Sequence, residues 1–214
     1  MNRFAVTGVA VVFGIVAGAC GGAEAAGLDG RGTLVLQLTD APFPTDSVQS
    51  VDIFIVRVDG RVADVDEASA DQNVTTEDAA EKDGWKTLAT PNASVDLLAL
   101  QNGVTSTLGE AKLDAASYRG FRLVIDPSKS SVTLKNGQTL SSTSSPSVTF
   151  PSASRSGIKI NLSAPVDVAA DGKTTMVVDF DVGSSFVMRG NSLSQNGLLF
   201  KPVIRGSVKA TSSQ

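Results

Sequence analysis

Alternation of apolar and polar residues with period two dominates the chain, and helical periodicity is nearly absent. Leu34, Leu36 and Leu38 share one face of residues 32–39. Residues 51–58 are apolar on nearly both faces, the pattern of a central strand covered on both sides. Phe121, Leu123 and Ile125 share a face, and Ile158, Ile160 and Leu162 alternate with polar neighbours. Met176, Val178, Phe180 and Val182 alternate against Val177, Asp179 and Asp181. Residues 198–208 read as a closing strand interrupted by Pro202, which marks an edge or a bulge.

Turn residues separate these runs: Asp40 to Pro44, Gln101-Asn102-Gly103, Asp126-Pro127-Ser128, Asn136-Gly137 and Asp171-Gly172. Asn136-Gly137, between two short β-prone stretches, predicts a hairpin. Short strands at regular spacing with such turns predict a β-sandwich or barrel. One turn of helix is expected near residues 95–100 and another near 114–117. Residues 61–83 hold many acids and few large apolar side chains, so they read as a solvated insertion loop. Residues 141–147 read as a polar loop, and the tail after Ala210 as frayed.

The N-terminus carries a different pattern. Arg3 gives a short basic start, residues 4–16 are mostly apolar, and Ala17-Gly18-Ala19 leads into Cys20. The apolar run is shorter than the ~20 residues needed to span a bilayer. This architecture predicts a secretory signal over residues 1–19. The segment before Cys20 resembles a lipobox, with Ala17 where that motif usually has Leu. Cys20 is the single cysteine of the chain, so it has no intramolecular partner. Both observations are met if Cys20 is the lipid-anchored first residue of the mature protein. Residues 20–30, rich in Gly and Ala, then form a flexible tether.

Charge sharpens the picture at one place. Without Arg3, 17 of the 18 basic residues face 22 acidic ones, net −5. Residues 59–83 hold nine acids against Arg61 and Lys82, net −7, which leaves the rest near +2. No basic stripe exists, so nucleic-acid binding is not expected. The chain contains no His, which removes the commonest general base and the usual triads. No nucleophile elbow or phosphate loop is present. No catalytic, cofactor-binding or metal-ligating residue is assigned, and no cofactor is expected. Asp64, Asp66 and Glu67, with Asp71 nearby, are oxygen ligands close enough in sequence for Ca²⁺, but their spacing lacks the third oxygen ligand and turn glycine of an EF-hand loop, so they read as a solvated acidic loop. Asp179 and Asp181 read as members of structural ion pairs, with Arg122 or Arg205 as partners and Arg122 favoured for Asp179. Trp85 is expected in the core, and Tyr118 packed with its hydroxyl bonded.

The ordered set of segments is similar to the bacterial and archaeal family of domain of unknown function 4382. The opening residues 32–42 are followed in order by 51–58, 85–88, 95–98, 117–123, 156–159, 178–181 and 200–205. Ser117 stands where the family usually has Gly. The resemblance covers about residues 31–209, and family members are often exported lipoproteins. It implies an all-β, sandwich-like fold and no activity. With the strand pattern, it points to one antiparallel β-sandwich of the immunoglobulin/transthyretin kind over residues 31–209, with residues 210–214 as a disordered tail. The functional expectation is a non-catalytic binding or structural module of the cell envelope. It is held to the membrane through Cys20, in the outer membrane if the source is Gram-negative, with an unknown protein or glycan ligand. The rival is a carboxylate- or metal-dependent hydrolase of envelope polymers.

Cys20→Ser is expected to abolish lipidation and release the protein from the membrane fraction. Intact-mass analysis of the mature form checks this, and an N-terminus other than acylated Cys20 contradicts it.

Overall fold

The computed structural model describes residues 30–40, 46–62, 84–151 and 156–213. The chain is mostly β. One sheet runs, in spatial order, through β11 (Asn161–Leu162), β16 (Ile204–Ser213), β13 (Gly172–Phe180), β1 (Arg31–Asp40) and β5 (Ser106–Asp114). Its long strands are β16, β13, β1 and β5, with β5 at one edge. The larger sheet runs, in spatial order, through β10 (Ile158–Lys159), β6 (Ala116–Ile125), β2 (Val48–Val62), β7 (Ser131–Leu134) and β8 (Thr139–Ser141). Here β3 (Trp85–Ala89) and β4 (Ala93–Asp96) pair along β2, and β12 (Val166–Val168) pairs with β6. A small third sheet joins β14 (Phe186–Met188), β15 (Leu198–Phe200) and β9 (Val148–Thr149).

Most neighbours pair antiparallel, as the turn signals require. The pairs β1–β13, β11–β16 and β15–β9 run parallel instead. Parallel neighbours need long connections rather than hairpins, and the whole chain between residues 40 and 172 separates β1 from β13.

The apolar rows on both large sheets join one core cluster. Leu34, Leu36, Leu38, Met176, Val178 and Phe180 come from one sheet, and Val51, Ile53, Ile55, Phe121, Leu123 and Ile125 from the other. Phe200 links the small sheet to this core, its ring 5.0 Å from Phe186 and 6.1 Å from Phe180. The Asn136-Gly137 hairpin joins β7 to β8 (Thr139–Ser141) as expected. A 3-10 turn at Leu97–Leu100 occupies the first expected helical site, capped by Asp96, which accepts from the Leu98 N–H.

Four expectations change. Residues 114–117 form no helix: Asp114 ends β5 and Ala116 starts β6, with Ala115 bonded back to Gly30. Residues 158–162 split into β10 (Ile158–Lys159) and β11 (Asn161–Leu162), which join different sheets. Residues 198–208 likewise split at Pro202, whose missing N–H cannot continue a ladder, and the chain crosses from the small sheet into β16. Finally, β16 runs on to Ser213, where Gly172 pairs with it, so residues 210–213 are a strand end and not a frayed tail.

The longest strand, β2, changes face halfway. Val51, Ile53 and Ile55 point into the core, then the register against β6 shifts between Ile55 and Arg57. This bulge makes Val56 an extra residue. Beyond it Val58 and Gly60 point inward, and Arg57, Asp59 and Arg61 point outward. Arg61 and Val62, expected at the start of the insertion loop, belong to this strand.

Candidate functional site

On the outer face of the larger sheet, Asp59 lies between Arg122 on β6 and Thr87 on β3 in the strand register. It is wholly inaccessible to water. Arg122 Nε donates to its Oδ2 at 2.8 Å. Arg57 Nε donates to Oδ1 at 3.0 Å and Oδ2 at 3.2 Å, and Thr87 Oγ1 to Oδ1 at 3.1 Å. A buried carboxylate is tolerable only when paired and hydrogen-bonded, and each oxygen of Asp59 accepts twice.

Trp85 sits beside this group, opposite Arg61 in the β2–β3 register. The Arg122 guanidinium lies 4.5 Å from the indole centroid and that of Arg61 5.6 Å, both within cation–π range. Two glycines leave room for the stack. A Cβ at Gly120 would come within 3.2 Å of the Trp85 ring, and one at Gly157, where φ is +69°, within 3.1 Å of Arg122 Cδ. Trp85 is therefore half-buried on the outer face and not in the core, because its flat ring covers two cations. Tyr118 is buried as expected, its hydroxyl donating to the Asp114 carbonyl at 3.2 Å.

A second polar group lies at the end of the inward row of β1. Asp40 follows Leu34, Leu36 and Leu38 toward the core and is 4% exposed. Its Oδ1 accepts from the Val182 N–H at 3.1 Å, and its Oδ2 lies 3.5 Å from the Gln101 amide. Burial pushes its carboxyl up to about 7, against those two hydrogen bonds, with Asp179 and Asp181 adding a smaller rise. Burial also raises Asp179, opposed by Arg205 across the β13–β16 register and reinforced by Asp181.

The residues singled out in the sequence are distributed as follows. Cys20 and the cluster Asp64, Asp66, Glu67 and Asp71 lie outside the described residues. Asp179 is on the outer face of β13, as alternation predicts. Asp181 is not a strand residue: it caps the short helix Val182–Ser185, accepting from the Ser184 N–H and Oγ. The expected Asp179–Arg122 pair does not form, because β13 and β6 belong to different sheets. Arg122 belongs to Asp59, and Arg205 stands opposite Asp179 while lying 4.0 Å from Asp181. Among the described residues, no group of three or more His, Cys, Asp or Glu is placed to hold a metal ion. Asp59 was missed because it was counted with the acidic stretch that follows it. The signal was present: Arg57, Asp59 and Arg61 alternate at period two, so one face of a strand carries all three.

These features define a mostly-β domain with a guanidinium–carboxylate–indole centre on one sheet face. The chain belongs to the family described as Domain of unknown function (DUF4382), whose model matches residues 31–202. No curated protein and no solved structure matches the chain. No helix among the described residues is long and apolar enough to cross a membrane.

Two outcomes follow from this geometry. Asp59→Ala is expected to cost ~3 kcal/mol or more, since it leaves two largely buried guanidiniums without their carboxylate. Its loss and that of Arg122→Ala should exceed the loss in the double variant by more than ~1 kcal/mol in urea denaturation; simple additivity would mean the two are uncoupled. For Asp40, the native state binds the proton more tightly than the unfolded chain, whose value is 3.8. Its contribution is complete below about pH 4 and is lost as pH rises toward about 7, at no more than ~1.4 kcal/mol per pH unit. Asp40→Asn should flatten the fall in stability over that range, and a decline parallel to the parent protein would contradict this.

Proposed function

We propose that this chain is a lipid-anchored module of the cell envelope, outside the cytoplasm, that binds a partner without transforming it. In this reading its two large sheets form a β-sandwich of the immunoglobulin/transthyretin kind, antiparallel except at the parallel pairs β1–β13 and β11–β16, held to the membrane by Cys20 and a short tether. The shared apolar core of the two sheets supports the sandwich reading. The observation that carries the binding reading is the Asp59 centre, where cations are fixed on a sheet face by a carboxylate whose acceptor positions are all used. A carboxylate so occupied has no lone pair left for proton transfer, so the arrangement suits recognition better than acid–base chemistry.

One observation favours the alternative, a carboxylate-dependent hydrolase of envelope polymers: a carboxyl held near 7, as at Asp40, is suited to general acid work. The two readings separate in one experiment. The protein is incubated with a panel of neutral, carboxylated and phosphorylated polysaccharides, and both retention and released reducing ends are measured. Retention with no release supports the module. Release that disappears in Asp40→Asn supports the hydrolase.

A further inference from the structure

The Asp59 centre holds more positive charge than it consumes. One carboxylate faces two guanidiniums, and both engage it through Nε. No Nη of either residue is bonded to Asp59. Arg122 uses Nη1 on the Ser156 carbonyl at 3.4 Å. The Nη groups of Arg57 meet no hydrogen-bond partner among the described residues, yet are not among the buried unpaired atoms, so they open to water. The Arg57 side chain is 22% exposed, the Arg122 side chain 13%.

The cations also form a row. Lys159 on β10 pairs with Arg122 on β6, which pairs with Asp59 on β2 between Arg57 and Arg61. Lys159 is exposed. Positive charges therefore recur on three adjacent strands ~4.8 Å apart, on a chain whose net charge is −4. Arg57 and Arg122 are built on strands and held by Asp59, with Trp85 and the Ser156 carbonyl also fixing Arg122, so these two side chains have little freedom left to lose on binding.

We propose that this face binds the carboxylates of an acidic, uronate-bearing glycan, which rests on the binding-module reading above. The free fork of Arg57 grips one carboxylate in bidentate fashion, and Lys159 takes another. A planar carboxylate matches the two parallel N–H donors of a guanidinium fork, a geometry that a tetrahedral phosphate reproduces less closely. A row of cations across strands suits a ligand with repeating carboxylates, which a neutral glycan lacks.

The test is calorimetric titration of the full chain with oligogalacturonate, its methyl ester, polyphosphate and a neutral glucan. Oligogalacturonate should bind, more weakly as salt rises, and the methyl ester should not. Arg57→Gln should weaken binding about tenfold or more, as loss of a charge-assisted contact does. Arg57→Lys should fall between, Lys159→Gln should weaken binding severalfold, and Lys135→Gln in the β7–β8 turn should change nothing. Melting curves accompany each variant; if Arg57→Gln fails to fold, Arg57→Lys and Lys159→Gln decide. Binding that ignores the Arg57 and Lys159 substitutions, equal affinity for the methyl ester, or preference for polyphosphate would overturn the assignment. Tight binding of the glucan alone removes the uronate assignment and leaves the module reading standing. Retention of nothing here or in the wider polysaccharide panel removes both.

Discussion

Strand β2 pairs with β3, β4, β6 and β7, and its register governs which residues the larger sheet shows to either side. Because side chains alternate, one extra residue exchanges the two faces for everything beyond it. Continued without the bulge at Val56, the inward row of Val51, Ile53 and Ile55 would go on to Arg57 and Asp59, placing two charged groups in the core. With the bulge, the row passes to Val58 and Gly60. Gly60 fits there because the space a Cβ would need is taken by Leu88, 2.7 Å away. The charged face outside and the apolar face inside are thus consequences of the same irregularity.

The two carboxylates buried among the described residues, Asp59 and Asp40, meet the cost of burial in opposite ways. Asp59 is surrounded by cations and a hydroxyl, and strand pairing places these donors without any flexible loop. Asp40 has only a backbone N–H and a distant amide, and its neighbours include further carboxylates. Asp40 meets the cost of burial by holding its proton. The Asp40 arrangement responds to pH within the physiological range.

Much of the fold was legible because period-two patterning survives in single strands. The rows of β1, β6 and β13, the hairpin at Asn136-Gly137 and the 3-10 turn after Asp96 all follow from local residues. What was not legible required knowing which strands are neighbours. Nothing local tells that Arg122 lies beside Asp59 and Asp179 beside Arg205, since sheet order is set by the packing of distant segments. The bulge in β2 hid the site further, because residues 51–58 are apolar on both faces and the alternation cannot reveal where it changes phase. Trp85 misled for a related reason: composition cannot distinguish an indole packed on aliphatic groups from one packed on guanidiniums.

The family match ends at residue 202, yet β16 begins at Ile204. This last strand lies against the full length of β13, from Phe180 opposite Ile204 to Gly172 opposite Ser213. A chain cut at the homology boundary would keep β13 but lose its antiparallel neighbour, baring a long hydrogen-bonding edge beside a strand with Met176, Val178 and Phe180 on its core side. Bare edges of this kind recruit other chains. The unit that folds is therefore longer than the unit that sequence similarity delimits, and its final strand is what covers the apolar strand β13 along its whole length.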